Sequence, residues 1–289
     1  MVKIFKPRFA VFIKSEIWPN YINELKKENV KFYLVNYVYN KYNSRIFRVI
    51  LKKYTKIFTQ DENSEQQLKK IGVDRALYTG NLKFNRAKIQ KKEKYNNKAL
   101  INYLGDDKCI VFGSTWERDE EIIFDYISEE INKNVKYIIA PHNVSEKNIS
   151  RIKSKLNNKV NLLSDYIYNA QSNILIVNSI GVLKYLYKFS NISYVGGGFK
   201  KKGLHNILEP CVYGNPVIFG KYFKSSNEAK ALIKLKGGFS VQNSKQLKNT
   251  VNELLFNANK LKEIKIINSK FIDDNLVSIN SIIKSIQNE

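Results

Sequence analysis

The sequence predicts an α/β protein made of two parallel-sheet halves, and three observations carry that prediction. Short apolar runs alternate with amphipathic helical stretches along almost the whole chain, the spacing that right-handed strand–helix–strand crossovers require. The alternation breaks once, at residues 86–98, a polar stretch nearly free of core residues, which reads as a linker between domains. Loops rich in glycine, serine, asparagine or proline follow the apolar runs at their carboxyl ends, where open parallel sheets take ligands.

In the first half, Arg8–Ile13 is an apolar strand, and Lys14-Ser-Glu-Ile-Trp-Pro19 leads into a helix through Glu28. Lys31–Asn36 is a strand, Ser44–Tyr54 a basic amphipathic helix and Lys56–Thr59 a third strand. Asn63–Ile71 is helical and stops at Gly72, and Ala76–Thr79 is a short strand. This half has roughly four strands, where a mononucleotide-binding domain has about six, so it reads as incomplete. After the linker come strand 108–112, helix 117–132, strand 135–140, helix 145–157 and strands near 160–163 and 173–177. Asn178–Leu183 opens another helix, and 192–195, 216–219 and 238–241 are the last strands. From Ser244 the tail is helical, with apolar positions at Leu261, Ile264 and Ile267, then Leu276, Ile279, Ile282, Ile283 and Ile286. The expected domains are 1–90, 91–270 and a closing helix at 271–289 that packs back on the first.

The chain has 289 residues and a formal charge of +23, from 49 Lys+Arg against 26 Asp+Glu. Such an excess attracts polyanions: nucleic acid, anionic headgroups or phosphorylated sugars. The lysines are scattered among many Asn and Ile, which reads in part as codon bias, and no arginine-rich tract or RNP-like motif singles out a specific nucleic acid. Cys109 and Cys211 sit in or beside apolar runs and read as buried thiols of a reducing compartment. With two His (His142, His205) and no zinc spacing, neither a metal nor another cofactor is expected. Phe9–Ile13 is too short for a signal or a span, so the chain reads as soluble or peripheral to a membrane. No Gly-x-Gly-x-x-Gly follows the first strand, and neither Gly-Lys-Ser/Thr nor Gly-x-Ser-x-Gly occurs. Dinucleotide oxidoreductases, P-loop NTPases and nucleophile-elbow hydrolases are thereby excluded.

The densest signal runs from Ile192 to Glu228. An apolar strand ends at Gly196-Gly-Gly198, His205-Asn206 opens a short helix, and Asn206 and Glu209 share a face of it. A carboxylate there can accept both hydroxyls of a ribose while glycine amides and a helix N-terminus hold a phosphate. Asn206-x-x-Glu209 fits a capping box equally well. Ser114 and Thr115 after strand 108–112 can hydrogen-bond a phosphate or sugar, or Ser114 can cap the next helix with Glu117. Pro141-His142 follows strand 135–140, where an imidazole can touch a base or phosphate. Asn178-Ser-Ile-Gly181 is either a loop whose backbone approaches a base or an Asn-capped helix start. Glu16 lies just past the first strand, an acid–base candidate or a surface glutamate before a buried Trp18. Lys200-Lys-Lys202 is either an anion clamp or a solvated loop. Together these loops give the pattern of a GT-B glycosyltransferase, two doubly wound domains facing a cleft, with the nucleotide on the second.

Gly113-Ser-Thr-Trp with Asp119-Glu120, Ile139-Ala-Pro-His142, Tyr194-Val-Gly-Gly-Gly-Phe199, Gly203-x-His-Asn-x-Leu-Glu209, Gly214-x-Pro-Val-Ile-Phe-Gly220 and Glu228-Ala229 resemble the 3-deoxy-D-manno-octulosonic acid (Kdo) transferases, in their Bacteroidetes-like form. Lys14-Ser-Glu-Ile-Trp-Pro and Thr79-Gly-Asn-Leu-Lys-Phe84 resemble the same family in the same order. The resemblance implies an inverting enzyme, peripheral on the cytoplasmic face of the inner membrane, that moves Kdo from CMP-Kdo to the lipid A precursor. It implies that Asn206 and Glu209 hold the CMP ribose and phosphate region, that Pro141, His142, Ile180 and Gly181 line the cytosine and phosphate pocket, and that Gly196, Gly197 and Gly198 face the phosphate. Ser114, Thr115, His205 and Glu228 join this binding set, and Glu16 is the active-site carboxylate beside the transferred sugar. His142 stands where many members have arginine, and Asn178 and Val182 replace acidic residues. The family's general base, a glutamate in a Gly-Glu motif, is expected upstream of Met1, with the membrane anchor and opening strand–helix units. A catalytically impaired CMP-binding remnant and a different GT-B nucleotide-sugar transferase are the alternative readings.

Overall fold

The computed structural model describes residues 2–40, 45–129, 134–165, 172–200 and 203–288. The chain divides into two compact units, Met1–Arg86 with Asn275–Glu289, and Ala87–Asp274.

The smaller unit contains β1 (Phe9–Ile13), β2 (Lys31–Tyr37), β3 (Lys56–Thr59) and β4 (Ala76–Tyr78), all parallel in the order β1-β2-β3-β4. The crossovers are the helices Pro19–Lys27, Arg45–Leu51 and Glu62–Lys70; Ser44 lies outside the described residues. Pro19 suits a first helical turn, where its missing N–H is not needed. Asp61 caps the third helix by accepting the Ser64 N–H at 2.7 Å. Ile22, Leu25, Leu34, Ile57 and Leu68 fill the core between the sheet and these helices. On the other face Tyr33, Val35 and Phe58 meet Val277 and Ile282, so the closing helix Ile279–Gln287 belongs to this unit. At the sheet edge, Phe9, Val11 and Ile13 of β1 are 45%, 42% and 55% exposed. Trp18 is not buried as the sequence suggests: it is 60% exposed, its indole donates to Glu16 at 3.2 Å, and Ile17 packs on the core in its place.

The larger unit contains β5 (Lys108–Thr115), β6 (Val135–Pro141), β7 (Asn161–Leu162), β8 (Ile174–Ile176), β9 (Ile192–Val195), β10 (Val217–Gly220) and β11 (Gly238–Val241). They form one parallel sheet in the order β11-β10-β9-β5-β6-β8-β7. Being covered on both faces, β5 reads as a continuous apolar run. Ile110 and Phe112 pack with Ile123, Tyr126 and Leu254 on one side, while Cys109 and Val111 pack with Leu100, Leu186 and Tyr187 on the other. Both cysteines are buried and free, and burial pushes the Cys109 thiol up to about 12. The chain moves outward from β5 through β6 to the edge strand β7, steps back to place β8 between β6 and β7, and then lays β9 on the opposite side of β5. This reversal opens a crevice at the carboxyl ends of β5 and β9.

The expected linker at 86–98 is mostly helical. Helix Lys83–Lys92 runs into it, and helix Lys98–Leu104 starts at its end, capped by Asn97 accepting from Leu100 N–H at 2.9 Å. The first buries only Phe84 and Ala87, too few apolar side chains for a periodicity to be read. Helix Glu117–Glu129 fills the described part of the expected 117–132, and residues 130–133 lie outside the described residues. The tail forms three helices, Ser244–Leu255, Ala258–Asp274 and Ile279–Gln287. No helix among the described residues is long and apolar enough to cross a membrane.

Candidate functional site

The loops after β5, β6 and β9 meet at the crevice. Gly196 N–H bonds the Gly113 carbonyl at 2.8 Å, and His142 N–H bonds the Thr115 carbonyl at 2.9 Å, so the three strand ends are tied by main chain. Gly197 has φ +87°, and a Cβ on it would overlap the Gly203 carbonyl oxygen. Gly196 lies as closely on the Ser114 carbonyl, and Gly198 on the backbone of Gly220 at the end of β10. The triple glycine thus lets the loops after β5, β9 and β10 close main chain on main chain.

Asp119, in the first turn of helix Glu117–Glu129, locks that arrangement. It is 1% exposed and accepts from Gly197 N–H (2.9 Å), Trp116 N–H (3.0 Å) and the Tyr194 hydroxyl (2.7 Å). Burial raises its pKa above the usual carboxylate value, and the three donors oppose the rise. Next to it Glu120, also buried, accepts the Thr115 hydroxyl at 3.0 Å and pairs with Arg151. Gly196 and Gly197 amides are consequently engaged within the protein, and Thr115 is closed to solvent with its hydroxyl engaged. Ser114 does not cap the helix: it adopts φ +53°, and its hydroxyl makes no hydrogen bond among the described residues.

Above this floor stands an aromatic stack. The Trp116 indole N–H donates to Nε2 of His205 at 2.9 Å, and the two rings are parallel to within 13°. His142 stacks on both, 4.3 Å from Trp116 and 4.8 Å from His205 between ring centroids. Lys200 places its ammonium 3.7 Å from the Trp116 ring centre. Trp116 therefore carries both a stacked imidazole and a cation on its ring. Burial, then the neighbouring His142 and Lys200, lower the His205 pKa, with Asp119 acting against them. Lys201 and Lys202 lie outside the described residues.

His205 leads directly to Asn206, whose Oδ1 accepts from Leu208 N–H at 3.2 Å and whose Nδ2 donates to Glu209 Oε1 at 3.2 Å. Helix Leu208–Cys211 therefore begins later than the expected His205-Asn206 start. Half of the capping-box reading is realised, through the Asn oxygen; the Glu209 carboxylate is aimed by the Asn amide. Glu209 is half-buried, and its charge raises the pKa of Tyr187 after burial does. Gly113 packs against the Tyr187 hydroxyl, which sets Glu209 near the end of β5.

Pro141 is the buried last residue of β6. Ile180, 86% exposed, and Gly181, at φ +90° with nothing within 4 Å of a Cβ position, form an open shelf after β8. Asn178 is not a helix cap, because it exchanges bonds with Ser164, and the helix starts at Leu183. Glu228 lies in the first turn of helix Asn227–Lys234, the one that follows β10, and accepts from the Ser226 hydroxyl at 2.9 Å. Glu16 belongs to the smaller unit, past β1, with Trp18 as its partner. Trp116 and Asp119 were not among the site residues the sequence suggests. Their signal was a Trp and an acid opening a helix at a central strand's carboxyl end.

A family model described as 3-deoxy-D-manno-octulosonic-acid transferase (kdotransferase) matches residues 1–86. A 3-deoxy-D-manno-octulosonic acid transferase of Aquifex aeolicus is 31% identical over 267 residues, covering 91% of this chain and 69% of that protein. The chain belongs to the 3-deoxy-D-manno-octulosonic acid transferase family. A second relative of the same name, from Rickettsia prowazekii, is 32% identical over 288 residues and covers 94% of this chain. The chain spans 61% of that relative's length. Among solved structures, the C-terminal CMP-Kdo binding domain of WaaA from Acinetobacter baumannii matches 66% of the chain and 98% of its own, with a TM-score of 0.55 at 21% identity. That likeness establishes the fold, and with its two parallel α/β units the chain is of the GT-B class.

Proposed function

We propose that this Kdo transferase family chain takes CMP-Kdo as donor in the crevice of its larger unit and serves the transfer of Kdo to the lipid A precursor, with inversion. The observation that carries the reading is the Asn206–Glu209 pair beside the Trp116–His142–His205 stack, at the point where strand order reverses. Glu209, oriented by Asn206, accepts the ribose hydroxyls. His205, with Lys200 close by, faces the phosphate, and the flat rings and the Ile180–Gly181 shelf offer surface to the base. A lipid A hydroxyl displaces CMP directly at the anomeric carbon, and the leaving phosphate is stabilised by fixed donors and positive charge. Glu16 is the carboxylate on the acceptor side, and protein groups alone meet the phosphate charge, without a cofactor. The lysine excess suits an anionic surface, so the chain acts peripherally at the cytoplasmic face of the inner membrane.

Calorimetry with CMP, UDP and GDP tests the donor site. CMP is expected to bind most tightly, and Glu209→Ala to weaken it about 10- to 100-fold, the loss of hydrogen bonds to a charged acceptor. Equal CMP affinity in wild type and Glu209→Ala would overturn the assignment. CMP release from CMP-Kdo with the lipid A precursor tests transfer, and tight binding without release would place the chain among non-catalytic CMP binders.

A further inference from the structure

The hydrogen bond from Trp116 to His205 has a chemical consequence. A neutral imidazole carries one proton, and the nitrogen that accepts a hydrogen bond is the one without it. Since Nε2 accepts from the indole at 2.9 Å, the His205 proton resides on Nδ1. Nδ1 has no partner among the described residues. The imidazole is fixed in its plane by the indole, and His142 covers a face of it at 4.8 Å. Trp116 itself packs against both His142 and the Lys200 ammonium, so the ring that fixes the tautomer is fixed in turn.

We propose that Trp116 is a positioning residue that locks His205 as the Nδ1–H tautomer, making it a neutral hydrogen-bond donor to an anionic phosphate oxygen of the nucleotide. The proposal rests on the nucleotide reading of the crevice for its ligand, but not for the tautomer. The charged and titratable groups around His205 are Asp119, Lys200 and His142. Asp119 already accepts three bonds, which leaves the indole to set the tautomer. A second proton on His205 would have to sit on Nε2, where it opposes the indole N–H, so the lock also resists protonation. The donor then stays unchanged as pH moves through the range where an ordinary histidine titrates.

Two-dimensional nitrogen NMR of the ligand-free chain, labelled at histidine and assigned with His142→Gln, reads the tautomer directly. The wild type is expected to show a protonated Nδ1 and an unprotonated Nε2 at His205. In Trp116→Phe, which keeps a ring but removes the N–H, the proton should redistribute toward Nε2 and the titration midpoint should rise. An Nε2–H tautomer in wild type, or a Trp116→Phe protein with unchanged tautomer and midpoint, overturns the proposal. Two substitutions at the histidine itself decide the matter if Trp116→Phe does not fold. His205→Asn sets an amide where Nδ1 was, whereas His205→Gln reaches the Nε2 position. The first is expected to bind CMP about tenfold more tightly than the second, and to show no such advantage for cytidine, which lacks the phosphate. Equal CMP affinities would overturn the proposal. A wild type that binds neither CMP nor cytidine while showing Nδ1–H would remove the nucleotide reading and the phosphate role, and leave the tautomer lock standing.

Discussion

Asp119 and Glu209 are two carboxylates at the same crevice, each near the start of a helix. Asp119 is closed to solvent and accepts from two main-chain amides and a tyrosine hydroxyl. Glu209 is half-buried and takes the Asn206 amide on Oε1. The first takes three donors from the fold and is shut off from water; the second is oriented by a side-chain amide and keeps part of its surface exposed. An acid in a motif is therefore assigned by what already occupies its oxygens, not by its place in the motif.

The widest gap between the two should appear in stability. Asp119→Ala leaves three donors without their acceptor and is expected to cost roughly 3–5 kcal/mol in chemical denaturation. Glu209→Ala should cost less than about 1 kcal/mol there, its effect falling on ligand affinity. A similar loss for both would erase the distinction.

Two glycines sharpen the same contrast between floor and rim. Gly197→Ala meets both a left-handed backbone and the Gly203 carbonyl, and should lose roughly 2–4 kcal/mol. Gly181→Ala has the same backbone problem in open space, and about 1–2 kcal/mol is expected. Thermal melts of the two proteins side by side test the ranking.

The smallest effect is a pH slope. His205 has a folded pKa below its ordinary value of 6.5, so the unfolded chain takes up the proton first as pH falls. Its contribution to stability is whole above about pH 6.5 and is lost as the medium acidifies from there toward the folded value. Denaturation midpoints across this window should fall less steeply in His205→Asn; an identical slope would mean that the imidazole titrates normally.

The strands were readable because β5, β6 and β9 are apolar runs punctuated by glycine or proline and β2 is an apolar run by itself, and burial on both faces needs nothing subtler. The carboxyl-end loops followed from the same alternation. Helix Lys83–Lys92 was not readable, since two buried side chains make no pattern. Trp18 looked like a core residue by type, and only the packing of Ile17 decides otherwise. At the site, His142 and His205 were visible singly as weak signals. Their meeting on Trp116 was not, because residues 116, 142 and 205 are joined only by the order β6-β5-β9 in the sheet. Nor could the sequence tell that Asp119 reaches Gly197, a contact across 78 positions.

Where Gly196 touches the Ser114 carbonyl and Gly198 touches Gly220, main chain lies on main chain with no rotamers between them. Such a surface has nothing to rearrange when a guest arrives, so capture costs little ordering entropy and should carry only a modest entropic penalty in calorimetry. It also means that the Gly196 and Gly197 amide protons, sealed against Gly113 and Asp119, should be among the slowest in the unit to exchange with deuterated water, with or without a bound nucleotide.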